Sequence, residues 1–571
     1  MKLVFNYLMK FKKGTILAPL FKLLEALVDL LYPFFIGLLI DKGIKQNNTK
    51  YIIIIIGVMV VLAFIGLLLS ILGQYFAAKT ATNISSLLRR DLFNHIEELD
   101  FNNIDKIGTA TLINRLTNDI NQVQTGINLF LRLILRSPFV VFGSAIIATI
   151  ISPSTSYIFW LTVGILFIFT FFIMLISIPI YNKQQRALDD VLTLSKDNLS
   201  GARIIRAFSI EENEIESNLD GNKKLIRIQK KASFISSFFN SFTYLMINLG
   251  IVLLIYVGAI KVYDGIITSG NIVALYNYMG QILIELIKLT NLVILINKSL
   301  ASAARVKTIL DLNNSLYKDV TNNKGSYIEF KNVDFTYNPG AHNILTNINF
   351  SINKGDVIGI IGPSGAGKTT LLNLMMHSYD TTNGTIIFNG SDINNYQPQE
   401  IYSKIAVTNQ KNVLFRGTIR DNLKISNLEC SDEELIEALK VGQCEDFILK
   451  RDNPLDYIVE AGGKNFSGGQ RQRLCIARTI ASRKDVLIFD DSTSSLDYLT
   501  DSNFRKALKN IDYKPTIIIS SQRASTMLEA DKILVLNNGN QEGFDNSSNL
   551  LKSCETYQDI YYTQFSKEDN K

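Results

Sequence analysis

The sequence predicts a membrane α-helical bundle of six transmembrane helices with long polar extensions, fused to an α/β domain built around a phosphate-binding loop. Three observations carry that prediction. Long apolar segments fill the first half of the chain, a mixed composition with turn signals fills the second, and a strand, a glycine-rich loop and a helix follow one another early in that second half. At 571 residues the chain exceeds one ordinary domain. The shift in composition places the bundle in residues 1–312, a linker in 313–326 and the α/β domain in 327–571.

A spanning helix needs about 20 mostly apolar residues. Six segments meet or approach that length: 15–40, 52–77, 129–151, 157–180, 234–260 and 272–296. The second, fourth and fifth carry no charge, which a buried soluble helix rarely requires. Short turns such as Ser152 to Ser156 follow the first, third and fifth segments, and long polar stretches, 79–128 and 183–231, follow the second and fourth. Their helical periodicity predicts helices that continue well beyond the bilayer. Arg89, Arg90, Arg115, Lys183, Arg186, Arg203 and Arg206 lie in those stretches, and Lys10, Lys12 and Lys13 precede the first span. That bias predicts a cell-membrane protein with the long connections, the α/β domain and both termini in the cytoplasm. Lys42, Lys45 and Lys50 in the first short turn run against the rule, and the even number of spans with the nucleotide chemistry below decides the orientation.

The formal charge of +6 has its simplest cause in this orientation bias, so no nucleic-acid partner is expected. Cys430, Cys444, Cys475 and Cys554 all lie in the second half without metal-ligand spacing and read as reduced cytosolic thiols. The basic start MKLVFNYLMKFKKG is followed by an apolar stretch too long for a secretory signal and lacking a small-residue cleavage site, so it reads as the lead into a retained helix.

Charges inside spans are costly and usually face a cavity or a partner. Glu25 and Asp29 lie four apart on the first helix, Arg132 and Arg136 four apart on the third, and Glu285 and Lys288 on the sixth. They read as ion pairs or interfacial groups, or alternatively as a polar substrate pathway in which Glu285, the deepest, is the leading candidate.

In the second half, 326–354 reads as alternating strands with a turn at Asn338, Pro339 and Gly340. The buried strand Val357 to Ile361 then leads into GPSGAGKT: Gly362, Pro363, Ser364, Gly365, Ala366, Gly367, Lys368 and Thr369, with a helix from Thr370 to Met376. This fits the pattern G-x-x-x-x-G-K-[ST] in its required strand and helix context. The glycines let backbone N–H groups curl round phosphate oxygens, and the helix start adds partial positive charge. Lys368 is placed for the β- and γ-phosphates of ATP, and Thr369 for Mg²⁺. A second buried strand, Val486 to Phe489, ends in Asp490, whose carboxylate can hold the same Mg²⁺. Together the two motifs predict a P-loop ATPase domain.

FSGGQRQR, Phe466 to Arg473, supplies a second phosphate-binding helix start although the chain already holds a complete phosphate loop. Its simplest use is to close on ATP held by another chain. On these motifs the sequence resembles the ATP-binding cassette (ABC) transporters, exporter type, and among them the degenerate-site subunit of heterodimeric bacterial multidrug exporters. The family signature is normally LSGGQ, where this chain has Phe466. The resemblance covers essentially the whole chain, six spans followed by one cassette.

The resemblance implies further roles. Tyr337 takes the place of an aromatic that stacks on adenine, with a core strand aromatic as the alternative. Gln410, in VTNQKNVLF, takes that of a glutamine that senses Mg²⁺. Ser467, Gly468, Gly469 and Gln470 would contact ATP on the opposite chain, and Thr370 would join the phosphate contacts. Glu460 would communicate with the membrane domain, and Ser494 to Asp497 would cross the dimer interface. GTATLINRLTNDI, 108–120, and GARIIRAF, 201–208, are similar to the two intracellular loops of exporters.

Two positions depart from the family. A glutamate that polarises the attacking water is replaced by Asp491, and a histidine that contacts the γ-phosphate by Gln522. One methylene fewer retracts the carboxylate by roughly 1.5 Å, and misplacement of about 1 Å can cost on the order of 10²-fold in rate. Glutamine can hydrogen-bond but does not titrate near neutral pH. The resemblance therefore implies a slow ATP site on this chain and a sound signature. It points to a heterodimer with a second half-transporter bearing the intact glutamate and histidine, moving a small hydrophobic or amphipathic substrate (drug, lipid or peptide) out of the cytoplasm. A homodimer with slow turnover, an ATP-gated regulator or channel, and a fused importer are the alternatives.

Overall fold

The computed structural model describes residues 2–312, 326–338 and 340–565. The predicted linker, apart from Ser326, and Pro339 of the predicted turn lie outside the described residues. The chain forms two compact units: Met1–Glu98 with Gly108–Leu312, and Leu99–Ile107 with Asn313–Lys571.

Among the described residues, the first unit holds six helices long and apolar enough to cross a membrane: Lys12–Ile44, Thr49–Glu97, Thr109–Ile151, Ser156–Ser200, Glu211–Tyr263 and Ser269–Leu289. The second, fourth and fifth run for 49, 45 and 53 residues. At about 1.5 Å per residue each far exceeds a hydrocarbon layer about 30 Å thick, as the long polar connections predict. The third is interrupted between the helices Ile120–Leu133 and Arg136–Ile151. The cause is Pro138, whose ring clashes with the carbonyl four residues back, at Ile134.

Ile53, Ile56, Val60, Phe64, Leu67 and Ile71 stand exposed along the second helix, as lipid-facing side chains must. The bundle interior packs Leu30, Val141, Phe159, Leu275, Tyr278 and Met279. Small residues set the closest approach of the first and sixth helices, since a Cβ on Gly270 would lie 2.2 Å from the carbonyl oxygen of Gly37.

The second unit is organised by strands β1 (Ile328–Phe335), β2 (Leu345–Ile352), β3 (Val357–Ile361), β4 (Asn383–Phe388), β5 (Ser391–Asp392), β6 (Ile405–Thr408), β7 (Gly417–Thr418), β8 (Ile458–Val459), β9 (Val486–Asp490), β10 (Thr516–Ser521), β11 (Lys532–Asn537) and β12 (Asn540–Asp545). Among the described residues β7 and β8 pair apart, and the other ten form one sheet in the order β5-β4-β1-β2-β12-β11-β3-β10-β9-β6. From β11 to β6 the strands are parallel. β9 and β10 are buried along their whole length, the signature of a parallel sheet covered on both faces.

Register decides where the site falls. Ser521 lies opposite Ile361, Ser520 opposite Asp490, and Thr408 opposite Phe489. The carboxyl ends of β3, β10, β9 and β6 are therefore level. Gly362, Gln522, Asp491 and Gln410, each just beyond one of these ends, emerge along one edge of the sheet, where open parallel sheets bind ligands.

The segment Leu99–Ile107, which belongs by sequence to the first long connection, groups with this unit. It forms the helix Phe101–Ile107, and the Tyr379 hydroxyl donates to the Asp105 carboxylate. Burial, and then that bond, raise the pKa of the Tyr379 hydroxyl.

All four cysteines are free and buried. Burial pushes the Cys430 thiol up to about 11 and raises those of Cys444, Cys475 and Cys554. Because the thiolate is the nucleophile, a maleimide applied near neutral pH is expected to label none of the four in the folded protein and all four after denaturation, read by mass. Fast labelling of any one in the folded protein would contradict this core.

Candidate active site

The phosphate loop leaves β3 and enters the helix Lys368–Met375, which begins two residues earlier than the sequence predicts. Gly365 and Gly367 have φ of +82° and +98°, a left-handed backbone that only glycine adopts freely. A Cβ on Gly367 would also lie 2.7 Å from the Leu345 side chain. Pro363, Ser364 and Gly365 form the exposed rim, while Gly362, Ala366 and Gly367 lie inside. Lys368 is buried and donates to the carbonyls of Gly362 at 2.7 Å and Pro363 at 2.9 Å. Burial lowers its pKa, against the opposing charges of Asp491 and Asp490.

The Thr369 hydroxyl donates to Asp490 Oδ2 at 2.8 Å, and the Ser520 hydroxyl donates to Asp490 Oδ1 at 2.5 Å. The carboxylate at the end of β9 is thus held from the phosphate loop on one side and from β10 on the other. Tyr337 lies half-buried, its hydroxyl 3.2 Å from that of Thr370 and its ring edge-on to Phe335 and Tyr379 at 4.8 and 5.1 Å between centroids. Both readings of this residue, adenine platform and core aromatic, share that position.

Asp491 has a φ of +45°, which aspartate tolerates better than longer side chains. Its N–H donates to the Ser520 carbonyl at 3.1 Å and the Ser520 hydroxyl at 3.0 Å. Burial and then the Asp490 charge raise its pKa, while the Lys368 charge and a hydrogen bond from Gln410 oppose the rise. Gln410 thus lies beside the Asp491 carboxylate. Gln522 follows β10 with its side chain exposed, and its carbonyl accepts from Gln564 Nε2 at 2.8 Å.

The second helix start is built as the sequence predicts. Ser467 caps Gly468–Ala481 in a reciprocal capping box, its hydroxyl accepting from the Gln470 N–H at 3.3 Å while Gln470 Oε1 accepts from the Ser467 N–H at 3.0 Å. Ser467 and Gly468 are exposed, and a Cβ on Gly468 would meet nothing within 4 Å, so the space in front of the helix start is unobstructed. Phe466, in place of leucine, is buried edge-on against Phe447 and Tyr457 at 6.2 and 5.8 Å. The departure fills a pocket and leaves the cap unchanged. Glu460 is exposed, its N–H donating to Asn465 Oδ1 at 3.1 Å.

Two residues the sequence reading missed join these parts. Arg523, the neighbour of Gln522, donates to the carbonyls of Leu496 at 3.0 Å and Ser494 at 2.8 Å, fixing the Ser494–Asp497 loop. Gln472, one turn into the second helix, donates to the Asp491 carbonyl at 3.4 Å and accepts from the Ser495 hydroxyl. Their position within recognised motifs was the available signal.

Two family profiles match this chain: the ABC transporter transmembrane region over residues 15–286, and the ABC transporter over 345–494. The chain belongs to the ABC transporters. Together the matches span about three quarters of it. The Uncharacterized ABC transporter ATP-binding protein YfiB of Bacillus subtilis is 28% identical over 557 residues, 97% of each chain. The Uncharacterized ABC transporter ATP-binding protein Rv1273c of Mycobacterium tuberculosis is 28% identical over 568 residues, 98% of this chain and 97% of its own. The structure of a bacterial Atm1-family ABC exporter with ATP bound agrees with a TM-score of 0.83 at 23% identity, covering 98% of this chain and 99% of the other, which establishes the fold. As an ABC transporter this is a nucleotide-binding, multi-pass membrane protein that couples ATP hydrolysis to transport.

Arg523→Ala removes two hydrogen bonds from the Ser494–Asp497 loop and leaves Lys368 and Thr369 untouched. In the assembled transporter it is expected to lower the ATPase kcat about tenfold, the scale of one or two charge-assisted hydrogen bonds, with ATP affinity changed less than twofold. An equal loss of affinity would contradict the assignment.

Proposed function

We propose that this chain is one half of an exporter in which its own phosphate loop mainly holds ATP and its signature completes the fast site of a different second half. The transporter moves a hydrophobic or amphipathic substrate from the cytoplasm across the cell membrane, with the cassette on the cytoplasmic side. One observation carries the asymmetry: Ser467 caps an exposed, unobstructed helix start, whereas Asp491 and Gln522 stand where the family resemblance expects a water-polarising glutamate and a γ-phosphate-contacting histidine. The solved protein of the same fold is an ABC exporter, which supports the direction of transport.

The chemistry follows from the residues. The Lys368 ammonium exchanges the carbonyls of Gly362 and Pro363 for β- and γ-phosphate oxygens, and the loop N–H groups complete the cradle. Tyr337 offers its ring to adenine. The donors around Asp490 fit Mg²⁺, because a hydroxyl and a carboxylate stand 2.8 Å apart at the end of the loop with Gln410 alongside. Among the described residues no cluster of three His, Cys, Asp or Glu groups could hold a metal, so a cation here takes its other ligands from phosphate and water. Thr369, Asp490 and Gln410 would hold it, and it would neutralise phosphate charge. Asp491 remains a base of short reach, and Gln522 can donate a hydrogen bond without accepting a proton.

Ser467, Gly468, Gly469 and Gln470 close on the partner's ATP, where the helix start stabilises charge on the γ-phosphate. ATP drives closure through its greater affinity for the closed dimer. The membrane helices pass the substrate as that closure is transmitted to them.

The test compares ATPase rates of the chain alone and with its partner. In the complex, Asp491→Asn is expected to change the rate less than twofold, while Ser467→Arg, which plugs the signature, lowers it at least about a hundredfold. Fast hydrolysis by the chain alone, abolished by Asp491→Asn, would contradict the proposal.

A further inference from the structure

The first, third and sixth helices enclose a network of charges. Arg136 is its hub, with Nη1 2.6 Å from Glu285 Oε1, Nη2 2.7 Å from Asp29 Oδ2 and Nε 3.8 Å from Glu25 Oε1. Lys288 lies 2.8 Å from Glu285, Lys22 lies 2.5 Å from Glu25, and the Ser137 hydroxyl donates to Glu285 Oε2 at 2.7 Å. The three carboxylates Glu25, Asp29 and Glu285 are thus balanced by Lys22, Arg136 and Lys288.

Arg132 breaks the balance. One turn before Arg136, it takes part in no ion pair among the described residues, and its Nε is buried without a hydrogen-bond partner. Asn128 Oδ1, one turn earlier, and Gln281 Oε1, one turn before Glu285, are likewise buried and unsatisfied. A surplus positive charge with an unmet amide oxygen one turn away is costly within a membrane span and marks a place where a ligand or water completes the bonding.

The network also opens away from lipid. Leu20, Leu24, Leu27, Leu31 and Phe34 stand exposed in one stripe on the first helix. At 3.6 residues per turn, Lys22, Glu25 and Asp29 lie on roughly the opposite face. Yet the Asp29 and Lys288 side chains are 36% and 41% exposed. Charges so exposed within spans face a cavity or a partner helix, and in an assembled transporter that cavity is the substrate pathway.

We infer that Arg132, supported by Arg136 and Lys288, recognises an anionic group, the carboxylate or phosphate of an amphiphilic substrate entering that pathway. The inference rests on the exporter reading above and adds a charge class to its substrate. The same chemistry is offered by a soluble amphiphile and by an anionic lipid of the bilayer.

The test uses both chains of the transporter in phosphatidylcholine nanodiscs. ATPase stimulation is measured with dodecanoate, dodecyl phosphate, dodecyltrimethylammonium and dodecanol below their micellar concentrations, and in a second set of discs containing phosphatidylglycerol and no added probe. Stimulation by the two anions is expected if the source is soluble, and by the phosphatidylglycerol discs if it is a lipid. Arg132→Gln is expected to raise the half-maximal concentration of the effective anion about tenfold, the scale of one charged hydrogen bond, with the cation and alcohol unaffected. Arg132→Lys, which keeps the charge, is expected to recover most of that affinity and so separates recognition from folding.

Equal stimulation by cation, alcohol and anion would overturn the inference alone. So would an Arg132→Gln shift common to all probes, as expected if a partner carboxylate pairs with Arg132. Hydrolysis blind to every amphiphile, with no ATP-dependent movement of any probe, would instead overturn the exporter reading beneath it.

Discussion

The hydrogen bond from Thr369 to Asp490 joins groups 121 residues apart in sequence, and the nucleotide site depends on it. It forms because β3, β10 and β9 run parallel with their ends level, so the loop that follows β3 meets the carboxylate that closes β9. A slip of one residue in any of these pairings would turn every side chain of that strand to the other face of the sheet. The buried residues of β3, β9 and β10, among them Ile358, Ile360, Leu487, Phe489, Ile517 and Ile519, prevent it, since they pack into core clusters on both sides. Core packing and phosphate chemistry are in this sense one constraint: the apolar runs hold the register, and the register aligns Lys368, Thr369, Asp490, Asp491, Gln410 and Gln522.

How much of this was legible in the sequence follows from whether a feature is local. The phosphate loop, the capped second helix and the apolar spans are each written within a few turns of chain, and each folds as its residues predict. The continuation of the second, fourth and fifth spans far past the bilayer was equally readable, because it rests on periodicity alone. Long-range pairings were not readable. Nothing adjacent to Arg523 announces that its guanidinium will grip the Ser494–Asp497 loop, and nothing around Asp105 announces Tyr379. The same holds for Ser520, which reads as one more strand residue and holds both Asp490 and the Asp491 backbone.

The membrane charges show the same division. Spacing revealed the pairs Glu25 with Asp29 and Arg132 with Arg136, and ion pairing was one of the two expected readings. That Arg136 bridges three carboxylates from two other helices is a tertiary fact. It accounts for the inward face of the first helix, and it leaves Arg132 outside the ion pairs of this network. The break at Ile134 and Leu135 separates these two arginines, so Pro138 shapes the local geometry of the network as well as the helix.

The proposed division of labour between two unlike halves turns on what happens to ATP bound at this chain's phosphate loop. The most direct measurement photolabels the assembled transporter with azido-ATP carrying label in either the α- or the γ-phosphate during turnover, then separates the two chains. The account predicts that nucleotide attached to this chain keeps its γ-phosphate while that on the partner loses it. Loss of the γ-phosphate at the same rate from both chains would contradict it.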